Sequence, residues 1–272
     1  MKKELLVYDG LQRCPYLPGK VARMPLYRQL RRLHPVETDR RLANAERRVG
    51  NALYRTSCPT CTACKGIRIP VNAFNPSRSQ RRVWKRMSQR VEVSVGPPTF
   101  TAEKLELFNR HKRERGLHDP DEPEMTAVGY VGWLVHSCMN TVEMTYTMDG
   151  AIVAVGIVDV GHKAASSVYF FFDPSPGFAK LSPGVFSVMQ EVAFCQATGR
   201  DFLYLGLWVR DCAPLAYKSN YYPHERLEDG DWLRYDSHDA EPHRHAGEEY
   251  GQQEVAEEDP GDGGWSQGGA KG

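Results

Sequence analysis

The chain has 272 residues, 41% of them apolar or aromatic, and a formal net charge of +1, so it can bury the core of one large or two small domains. No apolar run approaches the roughly twenty residues of a membrane-crossing helix, which argues against a membrane-spanning protein. The start, MKKELLVYDGLQRC, lacks the apolar segment and small-residue cleavage site of an export signal, so the seven cysteines read as reduced thiols or metal ligands and the expected compartment is the cytosol.

A first part, residues 1–96, opens with Cys14 in CPYLPG and runs into a strongly basic block. From Lys20 to Arg90 there are 18 Lys or Arg against three acids, Glu37, Asp39 and Glu46. Such a block is the footprint of a polyanion, because each neutralised phosphate releases condensed counterions; the plainer reading is a solvated surface that keeps the protein soluble. Within it, SCPTCTACKGIRIP places Cys58, Cys61 and Cys64 at three-residue intervals before a strand over Ile67 to Phe74. A basic helix, SRSQRRVWKRMSQ, follows, and Pro97-Pro98 closes the part.

The second part, residues 99–235, starts with a helix capped by Thr101, TAEKLELFNRHKRER, and a shorter apolar helix over Tyr130 to His136. Strands VEMTYTM and AIVAVGIVDV are joined by Asp149-Gly150, a strong hairpin signal. SSVYFFF is the next strand, Ser182-Pro183 opens a helix reaching Ala197, and FLYLGLW is a further strand. The β-β-β-α-β order is that of an acetyltransferase-type core. The expected fold class is α+β: a cysteine-bearing N-terminal part followed by an acetyltransferase-like (GNAT-type) mixed-sheet domain. From Asp236 to the end, ten acids face two bases and aliphatic residues almost vanish, so 236–272 is expected to be a disordered acidic Gly-rich tail whose His238, His243 and His245 are incidental.

Three thiols at Cys-x2-Cys-x2-Cys can wrap one cluster, and Cys14 is the natural fourth ligand. An iron–sulfur cluster and a structural Zn²⁺ are both open, as is a set of buried free cysteines. Cys138 and Cys195 read as core thiols. In the basic helix, Arg78, Arg81, Arg82 and Lys85 recur at three- and four-residue steps with no acid to pair them, which suits an RNA backbone or an acidic small group.

The blocks IRIPVNAFNPSRSQRRVWKRM, SSVYFFFDP, GVFSVMQEVAF and LYLGLWVRDC with YKSNYYP resemble, in order and spacing, the arginyl-tRNA–protein transferase family and its bacterial aspartate/glutamate leucyltransferase branch. The likeness runs from Cys14 to Trp232. It implies an enzyme that moves an amino acid from charged tRNA to the α-amine of proteins beginning with Asp or Glu, marking them for degradation by the N-degron pathway. Eukaryotic relatives associate N-terminal cysteines with an iron–sulfur cluster, and Cys14, Cys58, Cys61 and Cys64 occupy the comparable part here. Leucine is the expected donor because the cysteine run and SRSQRR resemble the bacterial branch, with arginine the alternative. The chain departs from the family pattern at Cys212-Ala213-Pro214-Leu215, Tyr222-Pro223 and Ser182-Pro183-Gly184.

An aminoacyl ester is already activated, so direct attack by the acceptor amine needs proximity, orientation and help with one proton, and no organic cofactor. Asp173 is the candidate to orient or deprotonate the amine, against its plainer reading as a turn carboxylate. Tyr217 and Lys218 are candidates for the tRNA terminus or the acceptor, and Arg78 with Lys218 for the acceptor's carboxylate. Arg78, Arg81, Arg82, Lys85 and Arg86 would hold tRNA, while Gly206 and Trp208 line the cleft. Two remoter readings compete. An acyl-CoA N-acetyltransferase would want a pyrophosphate-cradling glycine loop that AKLSPGVF lacks, and a non-catalytic RNA-binding or redox-sensing metal protein would not need the second part.

Overall fold

The computed structural model describes residues 3–118 and 123–244. Before residue 60 the chain forms short strands: β1 (Glu4–Tyr8), β2 (Leu11–Arg13), β3 (Val21–Arg23), β4 (Leu26–Gln29), β5 (Arg47–Val49) and β6 (Ala52–Tyr54). Runs this short carry too few apolar–polar alternations to be read from sequence. They build a four-stranded sheet in the order β1-β4-β6-β5 and a β2–β3 hairpin. Helix α1 (Pro35–Ala43) sits between β4 and β5 and is opened by Pro35 and by a capping box of His34 and Glu37.

The next strand, β7 (Lys65–Pro70), joins a much larger sheet. It was expected over Ile67 to Phe74; it stops at Pro70 because its partner begins opposite that residue, and Ala73 N–H turns back to the Pro70 carbonyl. The rest of the chain supplies β8 (Glu92–Gly96), β9 (Asn140–Met148), β10 (Ala151–Val160), β11 (Ala164–Phe172), β12 (Phe202–Trp208), β13 (His224–Glu228), β14 (Asp231–Tyr235) and β15 (His243–Arg244). The nine strands lie in the order β15-β14-β13-β7-β12-β11-β10-β9-β8. Only β11 and β12 are parallel, as their connection through a helix requires. The class is therefore α+β with one large mixed sheet, and strands on both sides of residue 96 belong to it.

Helices α2 (Arg78–Met87) and α3 (Ala102–Glu114) fall where expected; Ser77 with Gln80 forms a capping box on the first, and the Thr101 hydroxyl accepts from Lys104 N–H on the second. The apolar helix placed over Tyr130 to His136 is instead α4 (Ala127–Tyr130) running into a wide π-turn, Val131–Val135. The β9–β10 hairpin turns at Asp149 and Gly150, both at positive φ, as a two-residue turn of this kind requires. After β11 come α5 (Pro176–Ala179) and α6 (Pro183–Ala197), and after β12 come α7 (Ala213–Ala216) and a 3-10 turn, Tyr217–Asn220. The expected tail boundary also moves. Residues up to Arg244 are ordered because β15 pairs β14, whereas the expectation of disorder for 245–272, His245 included, falls outside the described residues.

The first strands are bound tightly to the large sheet. Arg48 of β5 is fully buried against Asp159 of β10 at 2.7 Å, and Thr141 adds a hydrogen bond to the same carboxylate. Leu33 N–H donates to the Cys138 carbonyl and Trp232 Nε1–H to that of Ala43. The main core lies between the sheet and α2 and α6, around Ile69, Met87, Val158, Phe186, Leu203 and Tyr221. Cys138 and Cys195 are buried free thiols, as expected.

Candidate active site

The parallel pair is the weak seam of the sheet. β11 and β12 hold register only from Ala164–Phe202 to Ser166–Tyr204, then separate. Two irregularities hold them apart. The β10–β11 register skips Val168, a bulge just past Ser167, and the β12–β7 register skips Leu205, leaving Gly206 at φ +85°. Bulges bend a strand and re-aim its side chains. The result is a fork, and the residues lining it come from distant stretches of the chain.

Arg47 of β5 reaches into the fork, its guanidinium donating to Ser166 Oγ at 3.4 Å and to the Ser167 carbonyl at 3.3 Å. It lies so close to Gly206 that a Cβ there would stand 2.4 Å from its nitrogen. On the other side Lys218 Nζ donates to the Leu207 carbonyl at 2.8 Å. Burial, then the charge of Arg47, pushes the Lys218 amine down to about 7. At the base of the fork Glu191 of α6 is fully buried. Its Oε1 accepts from Ser167 Oγ at 3.1 Å and Ser187 Oγ at 3.4 Å, while Oε2 has no partner among the described residues. Burial drives the carboxyl up to about 8, the two hydroxyls only partly offsetting it. Tyr146, Tyr217 and Tyr221 lie around this acid; burial raises each phenol, followed by the charge of Glu191 for Tyr146 and Tyr217 and by Tyr217 and then Glu191 for Tyr221.

Of the residues expected in the site, the structure brings Gly206, Tyr217 and Lys218 to the fork. Trp208 is buried; its Nε1–H donates to the Ala216 carbonyl and the Arg226 guanidinium lies 4.2 Å over its ring, so it pins the segment that carries Lys218. Asp173 is elsewhere. It follows β11, six residues past Ser167 and about 20 Å along an extended chain, where it pairs with Arg110 at 3.1 Å and caps the turn at Ser175 N–H. Arg78 is exposed at the start of α2, and Gln80 from the same turn donates to the Asn220 carbonyl, two residues beyond Lys218. Arg81, Arg82, Lys85 and Arg86 are exposed as well, and among the described residues no carboxylate pairs with any of these five bases. An apolar cleft of about 430 Å³ between α2 and α6 is lined by Arg81, Trp84, Met189 and Val192. It faces the side of α6 turned away from Glu191, because 189, 192, 193 and 196 lie opposite 187 and 191 on a helix.

Sequence reasoning missed Arg47, Ser167 and Glu191. The signal available was in GVFSVMQEVAF: a Glu on a helix whose neighbours are almost all apolar cannot avoid burial.

The cysteines gather beside the fork. Lys65 pairs with Trp208, so the start of β7 lies next to the end of β12 and Cys64 next to the segment bearing Cys212. Burial, then Cys58, Cys14, Cys61 and Cys212, pushes the Cys64 thiol up to about 12. All five are half-buried free thiols. Among the described residues no three His, Cys, Asp or Glu already stand at metal-ligating separation. By donor type alone, Cys64 with Cys14, Cys58 and Cys61, which lie within its electrostatic reach, would suit a thiolate-held centre. Tyr16 links this cluster to the fork: its phenol is raised by burial and by Tyr54, and it feels both Arg47 and Cys64.

Residues 12–82 match the N-terminal model and residues 103–228 the C-terminal model of arginine-tRNA-protein transferase. The chain is 32% identical over 240 residues to the aspartate/glutamate leucyltransferase of Aeromonas hydrophila, covering 87% of this chain and 99% of that one. It is 33% identical over 222 residues to the protein of the same name from Acinetobacter baylyi, covering 81% of this chain and 80% of that one. Among solved structures, L-PGS from Bacillus licheniformis overlaps 54% of this chain and 46% of its own with a TM-score of 0.40 and 12% identity.

Proposed function

The chain belongs to the arginine-tRNA-protein transferase family, and from that premise we propose that it transfers leucine from charged tRNA to the α-amine of proteins that begin with Asp or Glu. It is an aminoacyltransferase. The observation that carries the reading is the fork between β11 and β12, where two basic side chains, Arg47 and Lys218, meet backbone groups freed by the parting strands. An activated ester and an amine need only a dry, oriented meeting place, and the fork offers one without a nucleophile of its own.

Lys218 receives the acceptor's acidic side chain. Desolvation holds its amine near neutrality, and an entering carboxylate supplies the counter-charge that restores the cation. Arg78, at the neighbouring helix start, adds a second cation, and Tyr217 stands beside both substrates. The unpaired bases of α2, Arg78, Arg81, Arg82, Lys85 and Arg86, bind the tRNA phosphates. The β-β-β-α-β order closed by one parallel pair supports an acetyltransferase-like (GNAT-type) core. Cys14, Cys58, Cys61 and Cys64 would hold a metal centre, an iron–sulfur cluster or Zn²⁺, that fastens the turn after β2 to the start of β7.

The test is transfer itself. Labelled leucyl-tRNA and arginyl-tRNA are each incubated with the protein and peptides beginning with Asp, Glu or Asn. Leucine is expected on the Asp and Glu peptides, with Asn at least about tenfold poorer, since an amide supplies no counter-charge to Lys218 and a loss of about 1.4 kcal/mol in binding is tenfold. Label only from arginyl-tRNA would make arginine the donor, and no label from either would end the reading.

A further inference from the structure

Glu191 has no part in the roles assigned so far, yet among the described residues it is the only carboxylate at the fork and the most completely enclosed acid there, at 0% exposure. An acid buried without a cation needs a reason. Facing it from its own helix are Ser187 and Cys195, from β9 Tyr146, from β11 Ser167, and from the 217–221 segment Tyr217 and Tyr221. On the β10 and β12 side its surroundings are apolar, with Val158, Leu203 and Leu205 in the adjoining core. The bases of α2 belong to the opposite face of α6, and among the described residues no cation pairs with Glu191. Of the groups hydrogen-bonded to the carboxyl, Ser187 is buried and Ser167 alone is partly open, at the point where the strands part. Arg47, bound to the Ser167 carbonyl, fixes that residue in place.

Resting on the aminoacyl-transfer reading, we propose that Ser167 and Glu191 form a proton relay for the reaction. As the acceptor nitrogen bonds to the ester carbonyl carbon, it sheds a proton to Ser167 Oγ, which passes its own to Glu191 Oε1. When the carbon–oxygen bond to the tRNA ribose breaks, the proton returns through the same hydroxyl to the departing ribose oxygen. The C–N bond forms, the C–O bond breaks, one proton moves from nitrogen to oxygen, and the pair ends as it began. Ser167 is the catalytic residue, since it touches the reacting atoms, and Glu191 is the acceptor behind it.

The chemistry favours this acid in this place. A serine hydroxyl alone is a poor base, and a solvated carboxylate, with its ordinary value near 4, would hold the proton weakly. A protein α-amine has its ordinary value near 7.7–8.0; Glu191, pushed up to about 8, is matched to it, so the proton crosses with little penalty in either direction.

The experiment measures single-turnover leucyl transfer to an Asp-initiated peptide across pH for the wild type, Glu191→Gln and Ser167→Ala. In the wild type both the amine and Glu191 must lose a proton, so the rate climbs with pH more steeply than one ionisation allows. Each variant is expected to lose about a hundredfold or more in rate and to keep only the shallower slope of the amine. The double variant should be no slower than the worse single, because the two act as a unit. Leucyl-tRNA affinity should stay unchanged. If Glu191→Gln does not fold, Ser167→Ala, which deletes one half-exposed hydroxyl, decides the matter alone. A folded variant within about threefold of wild type, or one with the wild-type pH slope, overturns the relay while leaving the transferase reading intact. A wild type that transfers no amino acid overturns both.

Discussion

Gly206 and Arg47 occupy each other's space. The glycine is at φ +85°, a conformation that costs an L-residue about 1 kcal/mol, and an added Cβ would fall 2.4 Å from the guanidinium. Gly206→Ala should therefore lower stability by only about that amount while driving Arg47 out of the fork. Transfer should fall on the order of a hundredfold, the usual cost of a misplacement near 1 Å, and comparing a denaturant melt with the transfer rate separates the two effects. Lys218 carries a pH signature. Its amine is neutral above about 7 in the fold but keeps its proton to 10.5 when unfolded. Between those values the unfolded chain binds the extra proton, so stability contributed at this site rises with pH through that window and is least below it. Lys218→Met removes the burden, so its melting temperature should exceed the wild type at about pH 7 and the gap should narrow towards about pH 10. A gap that stays constant would show that the amine is not held neutral. Lys218 and Gly206 lie in blocks the sequence singled out, whereas Arg47 could not be tied to the fork, because nothing in a three-residue strand points to Ser166, 119 residues away.

At the scale of elements, β7 is the strand that ties the molecule together. It sits between β13 and β12 in the middle of the sheet, flanked by chain that follows it by more than a hundred residues. Its apolar run, IRIP, reads as a strand from sequence, but the identity of its neighbours does not. The same fusion is made by Arg48 and Asp159, buried to 1% and 2% exposure. Asp159→Asn leaves the guanidinium buried without a counter-charge, which costs about 3–5 kcal/mol. We expect one cooperative denaturant transition shifted by that amount. A separate early transition of the first strands, with the rest unmoved, would show that the pair does not couple them. The hairpin β9–β10 and helices α2, α3 and α6 follow the sequence because caps, Pro183 and Asp149-Gly150 are local devices that act within one turn of chain.

Over the whole molecule, charge is segregated, with 18 bases from Lys20 to Arg90 and ten acids from Asp236 onward. The bases of α2 are exposed and, among the described residues, unpaired by any carboxylate, so they are free to replace counterions on a phosphate backbone. Replacing Arg81, Arg82 and Lys85 together with Gln should flatten the dependence of tRNA affinity on salt by about 0.7–0.9 in log–log slope for each phosphate left unneutralised. Filter binding over a range of salt measures this directly. An unchanged slope would mean that the tRNA lies on another face.

The sequence by itself determined the element types of the longer segments, the α+β class, the segregated charge and the family, because periodicity, caps and ordered motif blocks are written along the chain. Only the tertiary structure decided which side chains meet. Asp173, the carboxylate that looked catalytic from its motif, is bound by Arg110, while Glu191, written into an apolar helix, becomes the buried acid of the fork. The fork itself exists because two strands part after three paired residues, with a bulge in β11 and another in β12 beside Gly206. Register, bulges and the desolvation that shifts Lys218 and Glu191 are properties of what packs against a residue, and that is settled only when distant strands meet.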